Sequence, residues 1–332
     1  MIIRRNPGRR NMLRAALSMA ALSLAAAAPP AAGQGWPERP VRIVVPYAAG
    51  QGADILARLL ADELAKRISQ PIVVENRAGA GGNIGTAAVA RAPADGHTFL
   101  LGTNATNAAN EFLYDSPGFN AATDFAPVAM IGLLPMVIST STADFPVNGI
   151  PQLIEQARAK PDTLNVGLPS TTAQVVFSEF VRAGKAPLFA VRYKSSGQSM
   201  TDAIGGRIPL VIDTVTATRP QVEGGKLRAL GITSLKPTDM LPGVKPVSEQ
   251  GVPGFDIVAW DALFAPRGTP ADAVKAMSDH VQAILRQADV RKRMQDIGVE
   301  PLIMNADELG EFVKNERKKW GDIIKEAGIS LG

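Results

Sequence analysis

The chain has 332 residues, 46% apolar, 20% charged and 5% aromatic, with 31 Gly, 25 Pro and no Cys, a composition that provides for a large core or two domains and excludes wholesale disorder. The missing Cys excludes disulfides, zinc–thiolate sites, iron–sulfur clusters and thiol nucleophiles, and two His leave no material for a His-rich metal site. The formal charge of +4 belongs to the first 35 residues: without Arg4, Arg5, Arg9, Arg10 and Arg14 the chain has 30 basic against 31 acidic residues, a net −1, and offers no bulk electrostatic case for nucleic acid.

Residues 1–35 read as an export leader. Five Arg precede or open the largely apolar run 15–28, which at 14 residues is short for a bilayer span and ends in small residues and prolines. Cleavage is expected within 32–35, with Ala31 and Gly33 as the small residues that guide it. Arg9-Arg10-Asn11-Met12-Leu13-Arg14 also fits a twin-arginine signal, so the export route stays open between that and the general secretory one. No later segment approaches 18 uninterrupted apolar residues, so no stable membrane insertion is expected once the leader is gone.

The body opens with a β-branched run, 41–45, stopped by Pro46. A glycine loop, 48–52, leads into a helix carried by Ile55, Leu56, Leu59, Leu60, Leu64 and Ile68. A strand at 71–75, a helix at 83–91, a turn at 93–96 and a strand at 98–101 follow, and the alternation implies a mostly parallel sheet. The pattern recurs with strands at 164–166, 188–191, 209–213 and 227–232 and helices at 172–181 and 198–204, while 215–224 is left unassigned. Two β-rich passages, 128–139 and 257–266, flank this second region as crossings between domains. Helices at 270–286, 289–297 and 306–327 close the chain, the last capped by Asn305. A chain that leaves one domain, builds another and returns describes a hinged clamshell with a cleft between α/β lobes.

Loops at the carboxyl ends of parallel strands face the ligand crevice of such a fold, and helix N-termini there present unpaired amides to anions. In the loop 46–54, Asp54 is most simply a helix-start residue, and the loop serves equally as a ligand cradle or a plain tight turn. The loop 76–85, Asn76-Arg77-Ala78-Gly79-Ala80-Gly81-Gly82-Asn83-Ile84-Gly85, misses the dinucleotide fingerprint because Ile84 stands where the third glycine belongs, and no phosphate-loop motif occurs anywhere. There is no Gly-x-Ser-x-Gly elbow; His97 and His280 read as edge or surface residues, and Trp36, Trp260 and Trp320 are too dispersed for a stacking platform. Polar loops at 102–106, 167–172 and 213–214 complete a set of strand-end loops able to hold a carboxylate without a fixed cation.

The stretches Trp36-Pro37-Glu38-Arg39-Pro40, Val74-Glu75-Asn76-Arg77, Gly79-Ala80-Gly81-Gly82-Asn83-Ile84-Gly85, Ala94-Asp95-Gly96-His97-Thr98-Phe99, Gly224-Gly225-Lys226-Leu227-Arg228-Ala229-Leu230 and Leu263-Phe264-Ala265-Pro266-Arg267-Gly268-Thr269-Pro270 closely resemble the extracytoplasmic solute receptors of tripartite tricarboxylate transporters, often called Bug proteins. The resemblance runs through the whole body in order. It implies a type II periplasmic binding protein fold: two α/β lobes joined by two crossing strands, closing on a small organic carboxylate that is passed to a permease of one large and one small subunit. It implies a non-enzymatic periplasmic protein with no cofactor and no metal. Carried over, Tyr47, Ala49, Gly50, Gly81 and Thr103 form the first-lobe half of the site, with Gly52, Asp54, Gly82, Asn83 and Asn104 in the same loops; Ser170, Thr171 and Asp213 read the distal part of the ligand. The expected layout is a leader at 1–35, one lobe from 36–136 and 259–332, and the other from 137–258.

Departures from the family pattern fall where the ligand would be chosen. The second-lobe loop reads Leu168-Pro169-Ser170-Thr171-Thr172-Ala173-Gln174, Arg192 and Ser195 flank Tyr193-Lys194 in place of Pro and Gly, and the first-lobe Gly-Gly pair is Gly50-Gln51. The rival functional readings are an α/β enzyme acting on a similar acid and a sensor of the same fold without transport.

Overall fold

The structure, a computed structural model, describes residues 36–141 and 145–331, so the leader assigned to 1–35 lies outside the described residues. Its first lobe starts from β1 (Val41–Val45), whose apolar side chains are nearly all buried. The strand is parallel to β2 (Ile72–Asn76) on one edge and β3 (Thr98–Thr103) on the other. Between them, α1 (Gly52–Ala65) and α2 (Asn83–Ala90) make the crossovers a parallel sheet requires. In α1, Leu56, Leu60 and Leu64 recur every four residues and are at most 1% exposed, each burial contributing about 2 kcal/mol.

The sequence places a polar loop at 102–106. Instead β3 runs to Thr103, and a wide helical turn, Ala105–Ala109, continues into α3 (Asn110–Leu113). The Thr103 amide donates to Thr106 Oγ1 at 3.0 Å and the Thr106 amide to Thr103 Oγ1 at 3.4 Å. These reciprocal bonds hold the turn that leads from the strand into the helix, where composition alone suggests a loop.

The crossing at 128–139 is the middle of one 17-residue strand, β4 (Phe125–Ser141). Its first part, to Pro135, pairs antiparallel with β9 (Val258–Pro266); from Met136 onward it pairs with β7 (Leu210–Thr214) and β8 (Leu227–Ile232). Register breaks between Pro127 and Ala129 and between Met130 and Gly132 bend it. β9 lies between β3 and β4, so a late segment of chain fills the middle of the first sheet. The second lobe continues from β7 to β5 (Asn165–Leu168) and β6 (Phe189–Arg192), all parallel, with α4 (Ile150–Ala159), α5 (Thr171–Gly184), α6 (Ser196–Ile204) and α7 (Val215–Glu223) between strands. Neither α4 nor α7 is foreseen by the sequence reading: α4 follows Gly149, and α7 carries Pro220 inside it, a residue that argues against a helix but costs only one ladder bond here.

At the junction, Thr233 ties both crossings together. The Met136 amide donates to Thr233 Oγ1 at 3.1 Å, and that hydroxyl donates to the Ile257 carbonyl at 2.6 Å. Backbone bonds from Thr233 N to Met136 O and from Ile257 N to Thr233 O complete the knot. The chain returns through α8 (Ala271–Leu285), α9 (Ala288–Asp296) and the short β10 (Glu300–Pro301), which pairs with β4. It ends in α10 (Ala306–Ala327), where Asn305 caps the Glu308 amide and Glu308 caps that of Asn305. Glu316 of this helix accepts from the indoles of Trp260 at 2.8 Å and Trp320 at 2.9 Å, fastening α10 to β9.

Candidate functional site

A cavity of about 50 Å³ lies between the lobes, at the carboxyl ends of the parallel strands. Four helices begin at its wall. Gly52 and Ala53 open α1; Ser170 caps α5, which Thr172 then enters; Ser196 opens α6; Thr214 caps α7. Each cap follows from local chemistry: Ser170 accepts the Ala173 amide at 3.1 Å and Thr214 the Ala217 amide at 3.3 Å, leaving other first-turn N–H groups unpaired. No Lys, Arg or His lines the cavity. What the wall offers an anion is therefore helix termini, each equivalent to about half a unit charge.

Hydroxyls and amides complete the wall. Tyr47, released from the sheet by Pro46 at the end of β1, meets Thr103 Oγ1 at 2.8 Å. Burial of the Tyr47 hydroxyl raises its pKa well above the phenol range, so it stays a neutral hydrogen-bonding group. Asn104 Nδ2 donates across the cleft to Thr172 Oγ1 at 2.9 Å, and Gln51 Nε2 reaches the Pro169 carbonyl at 3.5 Å. The lobes are thus in direct contact around the cavity.

Two carboxyls share this wall. Asp213, at the end of β7, accepts the Thr214 amide at 2.8 Å on Oδ1 and interacts with the Ser196 and Thr214 hydroxyls; burial outweighs these donors and pushes its pKa up to about 6. Asp261 sits within β9, in register with Thr103, and burial alone pushes it up to about 8. Oδ2 of each is buried without a hydrogen-bond partner.

Of the residues singled out from the sequence, Tyr47, Gly52, Thr103, Asn104, Ser170 and Asp213 come together on this wall. Ala49 and Gly50 are exposed in the turn before α1. Asp54 is buried away from the cavity, accepting from the Gly50 amide at 2.8 Å, from Asn76 at 2.9 Å and from Arg58. Its carboxylate locks the loop around the helix start, and these partners outweigh burial to hold its pKa below the ordinary range.

Gly81, Gly82 and Asn83 stand beside the cavity rather than in its wall. Gly81 and Gly82 have φ of 63° and 97°, and a Cβ on Gly81 would lie 2.6 Å from Thr171 Oγ1 in the opposite lobe, with the Tyr114 hydroxyl also in the way. Asn110 Nδ2 fixes this turn by donating to the Gly81 carbonyl at 3.0 Å and to Asn83 Oδ1. Thr171 is buried, facing Gly81, with its Oγ1 unpartnered. Arg77 pairs with Glu75, and Arg192 is exposed on β6; neither lines the cavity.

Gln51, Thr172, Ser196, Met136 and Asp261 also stand in the wall, beyond the site residues expected from the sequence. Gln51, Thr172 and Thr214 belong to the strand-end loops whose composition points to a carboxylate. Asp261 carried a signal of its own, an acid alone in the apolar run Ala259-Trp260-Asp261-Ala262-Leu263-Phe264. His97 is more enclosed than an edge residue, its Nδ1 at 3.0 Å from the Asp95 carbonyl and its Nε2 buried without a partner. A larger cleft of about 320 Å³, lined by Arg219, Gln295, Asp296 and Glu300 among others, marks a second contact between the lobes. Arg219 there donates to the Gln295 and Asp296 carbonyls at 3.1 and 2.9 Å. Among the described residues no group of three or more His, Asp or Glu is placed to hold a metal ion, and no helix is long and apolar enough to cross a membrane.

Comparison with known proteins agrees with this architecture. The chain is 32% identical over 308 residues to protein BugT of Bordetella pertussis, covering 92% of this chain and 94% of that one. Its fold is similar to that of R. palustris Rpa4515 with adipate, with a TM-score of 0.86 and 35% identity over 89% of this chain and all of that one. It is also similar to MatC from Rhodopseudomonas palustris with bound malate, with a TM-score of 0.82 and 31% identity over 87% of this chain and all of that one. The two-lobed α/β fold is therefore that of the periplasmic binding proteins of this group. A family model described as the tripartite tricarboxylate transporter family receptor matches residues 56–329, and the chain belongs to that family.

Proposed function

We propose that this protein is an exported, non-enzymatic receptor that captures a small organic carboxylate between its lobes in the periplasm and delivers it to a membrane permease with a large and a small subunit. The observation that carries the carboxylate assignment is the pair of helix N-termini, those of α1 and α5, that open from opposite lobes onto one interlobe cavity with no cationic side chain in its wall. Such a wall favours an anion through oriented amides and hydroxyls that pay no desolvation cost for a buried cation. The adipate and malate of the two related structures are acids of this class. At about 50 Å³ the cavity accommodates a few ordered waters or one polar group, so entry of a six-carbon diacid requires the lobes to part. We place the lobe boundaries at 36–136 with 259–332 and at 137–258, next to the point between Pro135 and Met136 at which β4 changes partners from β9 to β7.

A thermal-shift screen of the exported protein, purified from the cell envelope, against organic acids tests the assignment. A true ligand at 100 times its dissociation constant adds about 2.7 kcal/mol of stability. Turnover of any stabilising acid would assign the cleft to an enzyme instead.

A further inference from the structure

The cavity wall carries two chemistries. Its first-lobe side and the start of α5 offer donors: the first-turn amides of α1, the Tyr47 hydroxyl paired with Thr103, and the Asn104 amide group. Its other side is acidic. Asp213 accepts the Thr214 amide at the start of α7 and stands beside the Ser196 hydroxyl at the start of α6, so a carboxylate of the protein itself already lies before those two helix ends. What remains there is Asp213 Oδ2 and Asp261 Oδ2, both buried and both without a partner. Each side chain belongs to a residue only 3% exposed. Such atoms incur the full cost of desolvation unless something in the cavity donates to them.

A plain mono- or dicarboxylate worsens this arrangement, because it adds charge of the same sign beside Asp213 with no cation in the wall to offset it. A molecule with a carboxylate at one end and an ammonium at the other satisfies both sides: the carboxylate meets the α1 and α5 starts, and the N–H donors meet Asp213 and Asp261 with charge-assisted bonds. We propose that the cleft selects an amino-carboxylate, with Asp213 and Asp261 forming its ammonium subsite and Asp261 acting as a specificity-determining residue. This rests on the carboxylate-receptor assignment and narrows it.

The test is calorimetry at pH 7 on the exported protein with chain-matched acids: propionate, alanine and β-alanine; succinate, aspartate and 4-aminobutyrate; adipate and 6-aminohexanoate. In at least one set the ammonium-bearing member is expected to bind 10-fold or more tightly than the plain acid, and D213N and D261N, isosteric changes that keep the wall's shape, each to lose 10-fold or more of that affinity while binding the plain acid no worse. Tightest binding of a plain acid in every set overturns the inference and leaves the carboxylate assignment standing. An ammonium preference that survives in both variants overturns the role of the two aspartates. Binding of none of these acids counts against both readings. The wild-type preference needs no variant, so the proposal stays falsifiable if a substitution disturbs folding.

Discussion

Asn104, the residue after β3, donates its side-chain amide to the hydroxyl of Thr172 at 2.9 Å, joining the first lobe to the first turn of α5 across the cleft. The same Asn104 accepts the Trp260 amide at 3.4 Å through Oδ1. One side chain therefore connects a strand end, the neighbouring strand and the opposite lobe, and its bond to Thr172 exists only while the lobes are closed.

Replacing Asn104 by Ala is expected to weaken ligand retention about 5- to 10-fold, corresponding to a buried hydrogen bond of about 1–1.5 kcal/mol. Calorimetry on a ligand from the acid screen measures this. Retention equal to wild type would mean that the cross-cleft bond does not contribute to the closed state.

Gly81 faces Thr171 of the other lobe at a separation that leaves no room for a side chain, in a left-handed conformation besides. Gly81→Val should abolish measurable binding by holding the lobes apart, whereas Arg77→Ala and Arg192→Ala should each change affinity less than 3-fold, since neither residue lines the cavity. An Arg clamp on a buried carboxylate would instead cost about 2–5 kcal/mol on truncation, and a loss of that size in either Arg variant with normal binding by the Gly81 variant reverses the assignment.

The Asp261 carboxyl is held up at about 8 by burial, against 3.8 in the unfolded chain. Between those values the folded chain keeps a proton that the unfolded chain releases, so this group makes ligand-free stability fall as pH rises from about 4 to 8 and adds no further slope above that. Asp213 acts in the same direction up to about 6. Urea midpoints at pH 5, 6.5 and 8.5 should show the decline in wild type and a clearly shallower one in D261N; parallel profiles would show that Asp261 is not its source.

Thr233 is fully buried, and its hydroxyl serves Met136 and Ile257 together. Thr233→Val keeps the shape and leaves the Met136 amide and the Ile257 carbonyl each short of a partner, an expected loss of about 1–3 kcal/mol in urea unfolding. Thr233→Ser, which keeps the hydroxyl, should recover most of it.

Glu316 accepts from two indoles, so Glu316→Leu strands both Nε1–H groups next to Trp260 and Trp320. The expected cost is about 2 kcal/mol or more, read from the thermal midpoint, with a change in tryptophan emission because both rings border the altered position. Glu316→Gln, whose amide oxygen can take the place of the single Oε2 that accepts both indoles, should lose much less than Glu316→Leu.

The elements that the sequence made legible are those whose own residues decide them: β1 with its β-branched run, α1 with leucines at helical spacing, α10 with Asn305 as its N-cap. The glycine-bearing strand ends, and the two crossings, were readable because glycine and proline punctuate them. Partner choice was less readable. Nothing local distinguishes the half of β4 that meets β9 from the half that meets β7, and Thr233, which fixes the junction, is an ordinary β-branched residue until Met136 and Ile257 are brought to it. The wall residue Ser196 was hidden for the same reason, since its place is set by how α6 docks and not by its neighbours in sequence. Asp54 shows the opposite case: the helix-start position was legible, but its bonds to Asn76 and Arg58 depend on β2 lying alongside.

The place of β9 has a consequence for the order in which the molecule can be assembled. β1, β2 and β3 are complete by Thr103 and β4 by Ser141, yet β3 and β4 have no ladder with each other, because residues 258–266 stand between them. Until that segment is available the first sheet exists as two separate edges, each with a row of unpaired backbone groups. The second lobe's strands, by contrast, all lie within one continuous stretch ending at Ile232 and need only the far end of β4. A chain threaded outward from its N-terminus therefore finishes its second lobe first and closes its first sheet last, with a slow step set by the long loop that β9 must span to reach its slot.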